Sequence, residues 1–180
     1  MIGRDLVETI RQKCVHTLSY LYMDCVFDAE DQIGIVDLFR DLATVSQQQA
    51  IANENSAVGI KHLVLLHCGF DMDEILDSIA EINTLKQLDL QDCELSAGTM
   101  DAFFEKLVKR ESPIHRISLD YVTGITDTTL QYINALPRLK EVSFWCLADI
   151  TNDGIQLLRD NRRISKLVVC ECEQCEQVTL

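Results

Sequence analysis

The stretch Leu85-Lys86-Gln87-Leu88-Asp89-Leu90-Gln91-Asp92-Cys93 decides how the rest of the chain is read. Leu88 and Leu90 alternate with the polar Asp89 and Gln91, which is the period of a strand with one face buried. Leu85 before them and Cys93 after them extend the apolar set to the first and ninth positions of the phrase. The same spacing recurs at Ile60, Leu63, Leu65 and Cys68, and again at Ile164, Leu167, Val169 and Cys172. Ile114, Ile117, Leu119 and Val122 form a further copy, as do Leu139, Val142, Phe144 and Leu147, each with an aliphatic residue in the last slot. Leu18, Leu21, Met23 and Val26 supply the first. The copies start at residues 18, 60, 85, 114, 139 and 164, with spacings of 42, 25, 29, 25 and 25. A period of about 20 to 50 residues marks stacked units, each able to bury its apolar face only against its neighbours.

The segments between copies predict helices over 72–82, 97–110, 127–136 and 152–161. Asp71, Ser96, Thr126 and Thr151 stand just before them, where a side-chain oxygen can accept from an orphan backbone N–H. Met100, Phe103, Phe104 and Leu107 fall on one helical face, which should return to the sheet, and Pro137 follows a helix end that it can stop. Each unit is therefore a strand followed by a helix. The expected fold is an α/β solenoid of about six repeats in a single domain, 1–180. A curved parallel sheet lines its concave face and helices line its convex face. Residues 1–17 read as a partial N-terminal repeat with a helix over 4–13. The first interval predicts a helix through Ile33, Val36, Phe39 and Leu42, followed by an inserted polar segment over 43–59. Solenoids need capped ends, so the Cys-rich turn after the sixth strand is read either as an unusual cap or as the point where a longer parent chain continues.

The phrase Leu-x-x-Leu-x-Leu-x-x-Asn/Cys is that of leucine-rich repeats, and residues 125 to 172 resemble the cysteine-containing class of that family. The resemblance rests on Ile125-Thr126-Asp127 with Leu130, on Leu136-Pro137-Arg138-Leu139, and on Ile150-Thr151-Asn152-Asp153-Gly154-Ile155 with Leu158. It extends over residues 60–175. Such repeats are common in F-box substrate receptors of cullin-RING ubiquitin ligases, so the resemblance implies recognition of a ligase client and F-box or cullin components as partners. Cysteine fills the last slot in only three of the six copies, and no segment before Leu18 is long enough for an F-box. A ligase role would place that module on another part of the chain or on a separate subunit.

The chain has 180 residues, 47% of them hydrophobic and 25% charged, a composition expected of a folded water-exposed protein. Its formal net charge of -13 opposes binding to nucleic-acid phosphates or anionic lipid. No apolar run approaches the roughly 18 to 20 residues of a membrane span. The start, Met1-Ile2-Gly3-Arg4-Asp5, does not read as a secretory signal. Eight cysteines without a glycosylation sequon fit free thiols in a reducing compartment, so a cytoplasmic or nuclear location is expected.

Alternation places the residues between the fixed aliphatic positions on the concave sheet. The candidate partner-binding residues are Tyr20, Tyr22, His62, Val64, Leu66, Asp89, Arg116, Asp120, Trp145 and Lys166, with Val64 and Leu66 expected to be exposed. Aromatic residues and Arg dominate binding hot spots, and a stripe of mixed charge suits a protein partner better than a polyanion. The expected function is a non-catalytic protein–protein interaction module, with a scaffold subunit of a stable complex as the second class. An enzyme or metal protein is the third and rests on Cys170, Cys172 and Cys175. Those supply only three ligands, and the register separates Cys170 from Cys172. His62 and His67 stand five residues apart on or just beyond one strand and read with His16 and His115 as surface or rim histidines; His16 and His115 have no nucleophile-and-acid set nearby, and no phosphate loop or serine elbow is present. No cofactor is expected.

Overall fold

The computed structural model describes residues 4–24, 32–52, 59–68 and 72–179. Along the chain these form α1 (Arg4–Lys13), β1 (Tyr20–Asp24), α2 (Gln32–Ala52), β2 (His62–Leu66), α3 (Asp73–Ala80), β3 (Gln87–Gln91) and α4 (Ala97–Lys109). They continue as β4 (Arg116–Asp120), α5 (Asp127–Ala135), β5 (Glu141–Trp145), α6 (Asn152–Arg159), β6 (Lys166–Cys170) and β7 (Val178–Thr179). The strands make one sheet in chain order, β1 to β7, with β1 to β6 parallel and β7 antiparallel to β6. Successive strands being neighbours, with a helix in each connection, gives an α/β solenoid-like repeat. Each helix also packs against the next one along the chain.

The register explains the repeated aliphatic slots. Leu63, Leu88, Ile117, Val142 and Leu167 stand side by side, as do Leu65, Leu90, Leu119, Phe144 and Val169, and all ten are buried. Cys68, Cys93, Val122, Leu147 and Cys172 close the same core in the turns that follow the strands. In each of those turns the residue directly after the strand has left-handed φ: His67, Asp92, Tyr121, Cys146 and Glu171, at 51 to 54°. For a non-glycine residue this costs roughly 1 to 2 kcal/mol, which the continued ladder offsets. The His67 and Asp92 amides donate to Gln91 and Asp120 carbonyls at 2.9 Å, and those of Tyr121 and Cys146 to Trp145 and Cys170 at 3.0 Å. The strand pairing thus runs one residue further while the chain turns towards its helix.

A polar ladder joins the helix starts. Thr99 donates its hydroxyl to Asp73 at 2.7 Å, and Thr129 donates to Asp101 at 2.6 Å. Asp127 receives both the amide and the hydroxyl of Thr151, at 2.8 and 2.6 Å. Carboxylates near helix N-termini are favoured by the helix dipole, and here each also fixes its neighbour's entry. Ser96 and Thr151 act as the expected caps, accepting from the amides of Thr99 and Asp153. The Thr126 amide donates to the Thr129 hydroxyl. Asp71 lies outside the described residues, and α3 starts behind Met72 without a side-chain cap.

One expectation is corrected. The segment 43–59 is not an insertion from its first residue, because α2 runs on to Ala52. Val45 and Ser46 are buried; Ser46 donates to Asn83, and Gln47 donates to Glu81 at 2.9 Å. The start of the polar run is thus helical, with Ser46 and Gln47 bonded to the end of α3 and the turn after it, and residues 53–58 lie outside the described residues. At the other end, β7 covers the edge of β6 by pairing Val178 with Val169 and Thr179 with Val168. Among the described residues, no helix is long and apolar enough to cross a membrane.

Candidate interaction surface

The helix-free face of the sheet carries three rows set by the register. The first is Tyr20, His62, Gln87, Arg116, Glu141 and Lys166; the second is Tyr22, Val64, Asp89, Ser118, Ser143 and Val168. The third is Asp24, Leu66, Gln91, Asp120, Trp145 and Cys170. At about 4.8 Å between strands, each row is about 24 Å long.

All ten residues singled out from the sequence lie in these rows, but not as one cluster. Tyr20 and Tyr22, 50% and 52% exposed, stand on the end strand β1, and Trp145, 39% exposed, stands on β5. Four strand spacings, about 19 Å, separate them. His62, Val64, Asp89, Arg116 and Asp120 are half-buried and Lys166 is exposed. Leu66 is the exception: it is buried at 8% exposure, between Asp24 and Gln91 in register. Although its slot faces outward, it offers little contact area.

Polar contacts order the β1 end. Tyr20 meets the His62 ring edge-on at 4.9 Å between centroids, and His62 Nε2 lies 2.7 Å from Asp89 Oδ2. The outer oxygens are used unevenly, since Asp89 Oδ1 and Asp120 Oδ1 are both buried without a hydrogen-bond partner. At the β5 end the Trp145 indole N–H donates to Ser143 at 3.2 Å, which turns the ring back along its own strand.

Reading only the strand slots missed a fourth row, the left-handed residues His67, Asp92, Tyr121, Cys146 and Glu171 that line the rim where the strands end. Tyr121 is 55% exposed, more than any aromatic inside the strands. The sequence offers only a weak signal, the lack of glycine at the same offset after β2 to β6, where a turn glycine would be usual. A hydrogen bond with Cys146 is the main cause that pushes the Tyr121 hydroxyl up to about 12. The Cys146 thiol also lies 3.4 Å from the Glu171 carboxylate. His67 Nδ1 lies 3.0 Å from Asp24, and its Nε2 lies 3.6 Å from Asp92. The hydrogen bond to Asp24, more than the charges, raises the imidazole pKa above its ordinary value. Its contribution to stability is therefore complete below the ordinary histidine pKa and is lost as pH rises through the raised one.

Asp120 gives the rim a pH dependence of the same sign. Burial first, then repulsion from Asp92 and Glu171, pushes its carboxyl above the ordinary range. The stability associated with its protonated form is complete below the ordinary value and is lost as pH rises through the raised folded value. Asp120→Asn should therefore raise the urea midpoint at pH 7 and show no gain near pH 3. A midpoint below wild type at pH 7 would show that the carboxylate makes a net stabilising contact.

The terminal cysteines fall on different sides: Cys170 is half-buried on the open face, whereas Cys172 is in the core. Burial raises both Cys172 and Cys175, the latter to about 11, so these thiols stay protonated at neutral pH. Among the described residues, no three His, Cys, Asp or Glu side chains are placed to hold a metal ion together. What the arrangement offers is a broad half-exposed sheet with aromatic side chains at separate points and carboxylates between them. These features place the chain in the class of α/β repeat proteins with a solvent-facing sheet. No protein-family model matches the chain, and no curated protein matches it significantly.

Proposed function

We propose that this chain is a non-catalytic protein–protein interaction module, a leucine-rich-repeat solenoid that holds its partner on the concave sheet. The supporting observation is where its exposed apolar surface lies. Of the six exposed large hydrophobic side chains among the described residues, Tyr20, Tyr22, Tyr121 and Trp145 are on the open face or its rim, and Leu6 and Leu157 are on helices. Tyr and Trp supply large contact area at little rotamer cost, which is why they anchor interfaces. Half-buried Asp89 and Arg116 between the anchors would fix register by charge pairing.

The more specific version is recognition of a client for a cullin-RING ubiquitin ligase, with the F-box module on a further part of the chain or on an associated subunit. The resemblance of residues 60–175 to the repeats of F-box receptors supports it. Affinity capture from native extract, comparing wild type with a Tyr22→Ala, Trp145→Ala double variant of unchanged circular dichroism, tests both levels. The double variant should lose affinity for its client by about 1,000-fold, two hot-spot truncations at about 2 kcal/mol each. Cullin-linked subunits should be recovered with either protein. A client held equally by both proteins sinks the concave-face reading. A client lost from the variant without any cullin-linked subunit in either sample keeps the module and removes the ligase.

A further inference from the structure

The two edges of the sheet carry opposite charge. The turns leading from strand to helix at residues 91–100, 120–127, 145–153 and 170–178 hold nine Asp or Glu and no Lys or Arg. The turns leading back from helix to strand are the reverse: residues 81–86, 109–115, 138–140 and 159–165 hold eight of the chain's 16 Lys and Arg, against three acids. In a chain of net charge -13 this is a segregated basic ledge.

The backbone aligns part of it. Lys86 N donates to Lys61 O at 2.8 Å, His115 N to Lys86 O at 2.9 Å, and Lys140 N to His115 O at 2.9 Å. Lys61, Lys86, His115 and Lys140 therefore stand one strand apart, in a row of about 14 Å. Lys86, Arg138 and Lys140 are exposed, and none of the three makes a side-chain hydrogen bond or ion pair among the described residues. Of the basic groups that do pair, Lys106, Lys109 and Arg110 are on or just after α4, Arg11 and Arg40 are on α1 and α2, and Arg163 donates to Asn161 and to the Asn134 carbonyl. Beside the row, Asn83, Arg110, Glu111, Ser112, Pro113 and Arg138 line a groove of about 410 Å³, in which Arg110 is paired with Glu81 and Arg138 is not paired. The ledge thus presents unsatisfied cations above a cleft able to receive a side chain.

We propose that this ledge is a second binding surface, separate from the open face, and that its occupant is a short acidic polypeptide segment. The five-residue strands set the ledge about 17 Å from the acidic rim, about twice the Debye length of roughly 8 Å at physiological salt. A segment of four or five extended residues along the row is attracted by the ledge and screened from the rim. A long polyanion or an anionic membrane would reach beyond it and meet the field of the whole acidic chain.

The test is fluorescence anisotropy of the full chain with a labelled Glu-rich dodecapeptide at low and physiological salt, with duplex DNA and phosphatidylserine vesicles as rival probes. Wild type should bind the peptide and bind it more weakly as salt rises. Lys86→Glu with Lys140→Glu should weaken binding by about ten-fold. Lys13→Glu with Arg40→Glu, the same charge change on α1 and α2, and Tyr22→Ala with Trp145→Ala should each change it by less than about two-fold. No binding of the peptide, equal loss from both charge-reversal pairs, or an unaffected ledge variant would overturn the site. Tighter binding of DNA or vesicles than of the peptide would overturn the occupant. Circular dichroism of each variant checks that a loss is not unfolding.

Discussion

Phe104→Ala will lower stability by about 3 to 5 kcal/mol, the upper range for a single core truncation. Phe104 is wholly buried on α4 and meets Phe103 at 5.1 Å between ring centroids, with the planes 65° apart. Removing the ring loses the transfer free energy of its buried surface and leaves a cavity that flanking elements cannot fill without moving. Its place in the stack adds a second effect. The helix α4 lies between α3 and α5 and joins the two halves of the solenoid, and a stacked array is held by nearest-neighbour interfaces. The variant should therefore unfold over a broader range of urea, or in two steps, where the wild type unfolds in one. Urea titrations followed by circular dichroism and by Trp145 fluorescence give the outcome. A loss below about 1 kcal/mol with coincident transitions would mean that the repeats on either side close over the gap.

Why some of this architecture can be read from the chain and some cannot is itself physical. The phrase Leu85 to Cys93 is legible because a strand with one buried face must alternate, and because the same turn must return the chain to the same core five more times. The helix positions follow for the same reason. Ser96, Thr126 and Thr151 mark their starts because orphan amides there need an oxygen, and α4, α5 and α6 begin directly after them. What local pattern cannot show is a contact, or burial, supplied by a neighbour distant in sequence. Gln47 looks like loop, yet its side chain meets Glu81, 34 residues away. Leu66 occupies an outward slot and is covered all the same. The strand β7 is two residues long, too short to carry any period, and exists because β6 would otherwise present an open edge. The rim row was missed for a different reason. A non-glycine residue with positive φ is uncommon enough that five in register are visible only once the turns are seen side by side. The surface is thus half legible: the strand rows come from alternation, while Tyr121 and its neighbours come from turn geometry that the alternation does not encode.

Gly124→Ala will cost about 2 to 4 kcal/mol, although it adds a single methyl group to a surface turn. The residue has φ of +75°, and an added Cβ would lie 2.6 Å from both the Leu95 carbonyl oxygen and the Ser96 carbonyl carbon. Both contacts are backbone, so no side-chain rotation relieves them. The turn cannot easily slide away either. Thr123 clamps it by donating its amide to Cys93 O at 3.0 Å, while its hydroxyl bridges the Leu95 amide and carbonyl at 2.8 Å each. Relief of the clash would have to break that bridge, which joins one repeat's turn to the next. Gly98→Ala is the matched control. It lies in the first turn of α4 with only Ser96 Oγ nearby, at 3.9 Å, and there alanine should stabilise by about 0.5 to 1 kcal/mol through helix propensity. The same chemical change is thus expected to have opposite signs at two positions 26 residues apart. Paired urea titrations decide it. If Gly124→Ala proves as stable as wild type, the turns are free to shift against each other, and the inter-repeat clamp through Thr123 is not what holds adjacent units in register.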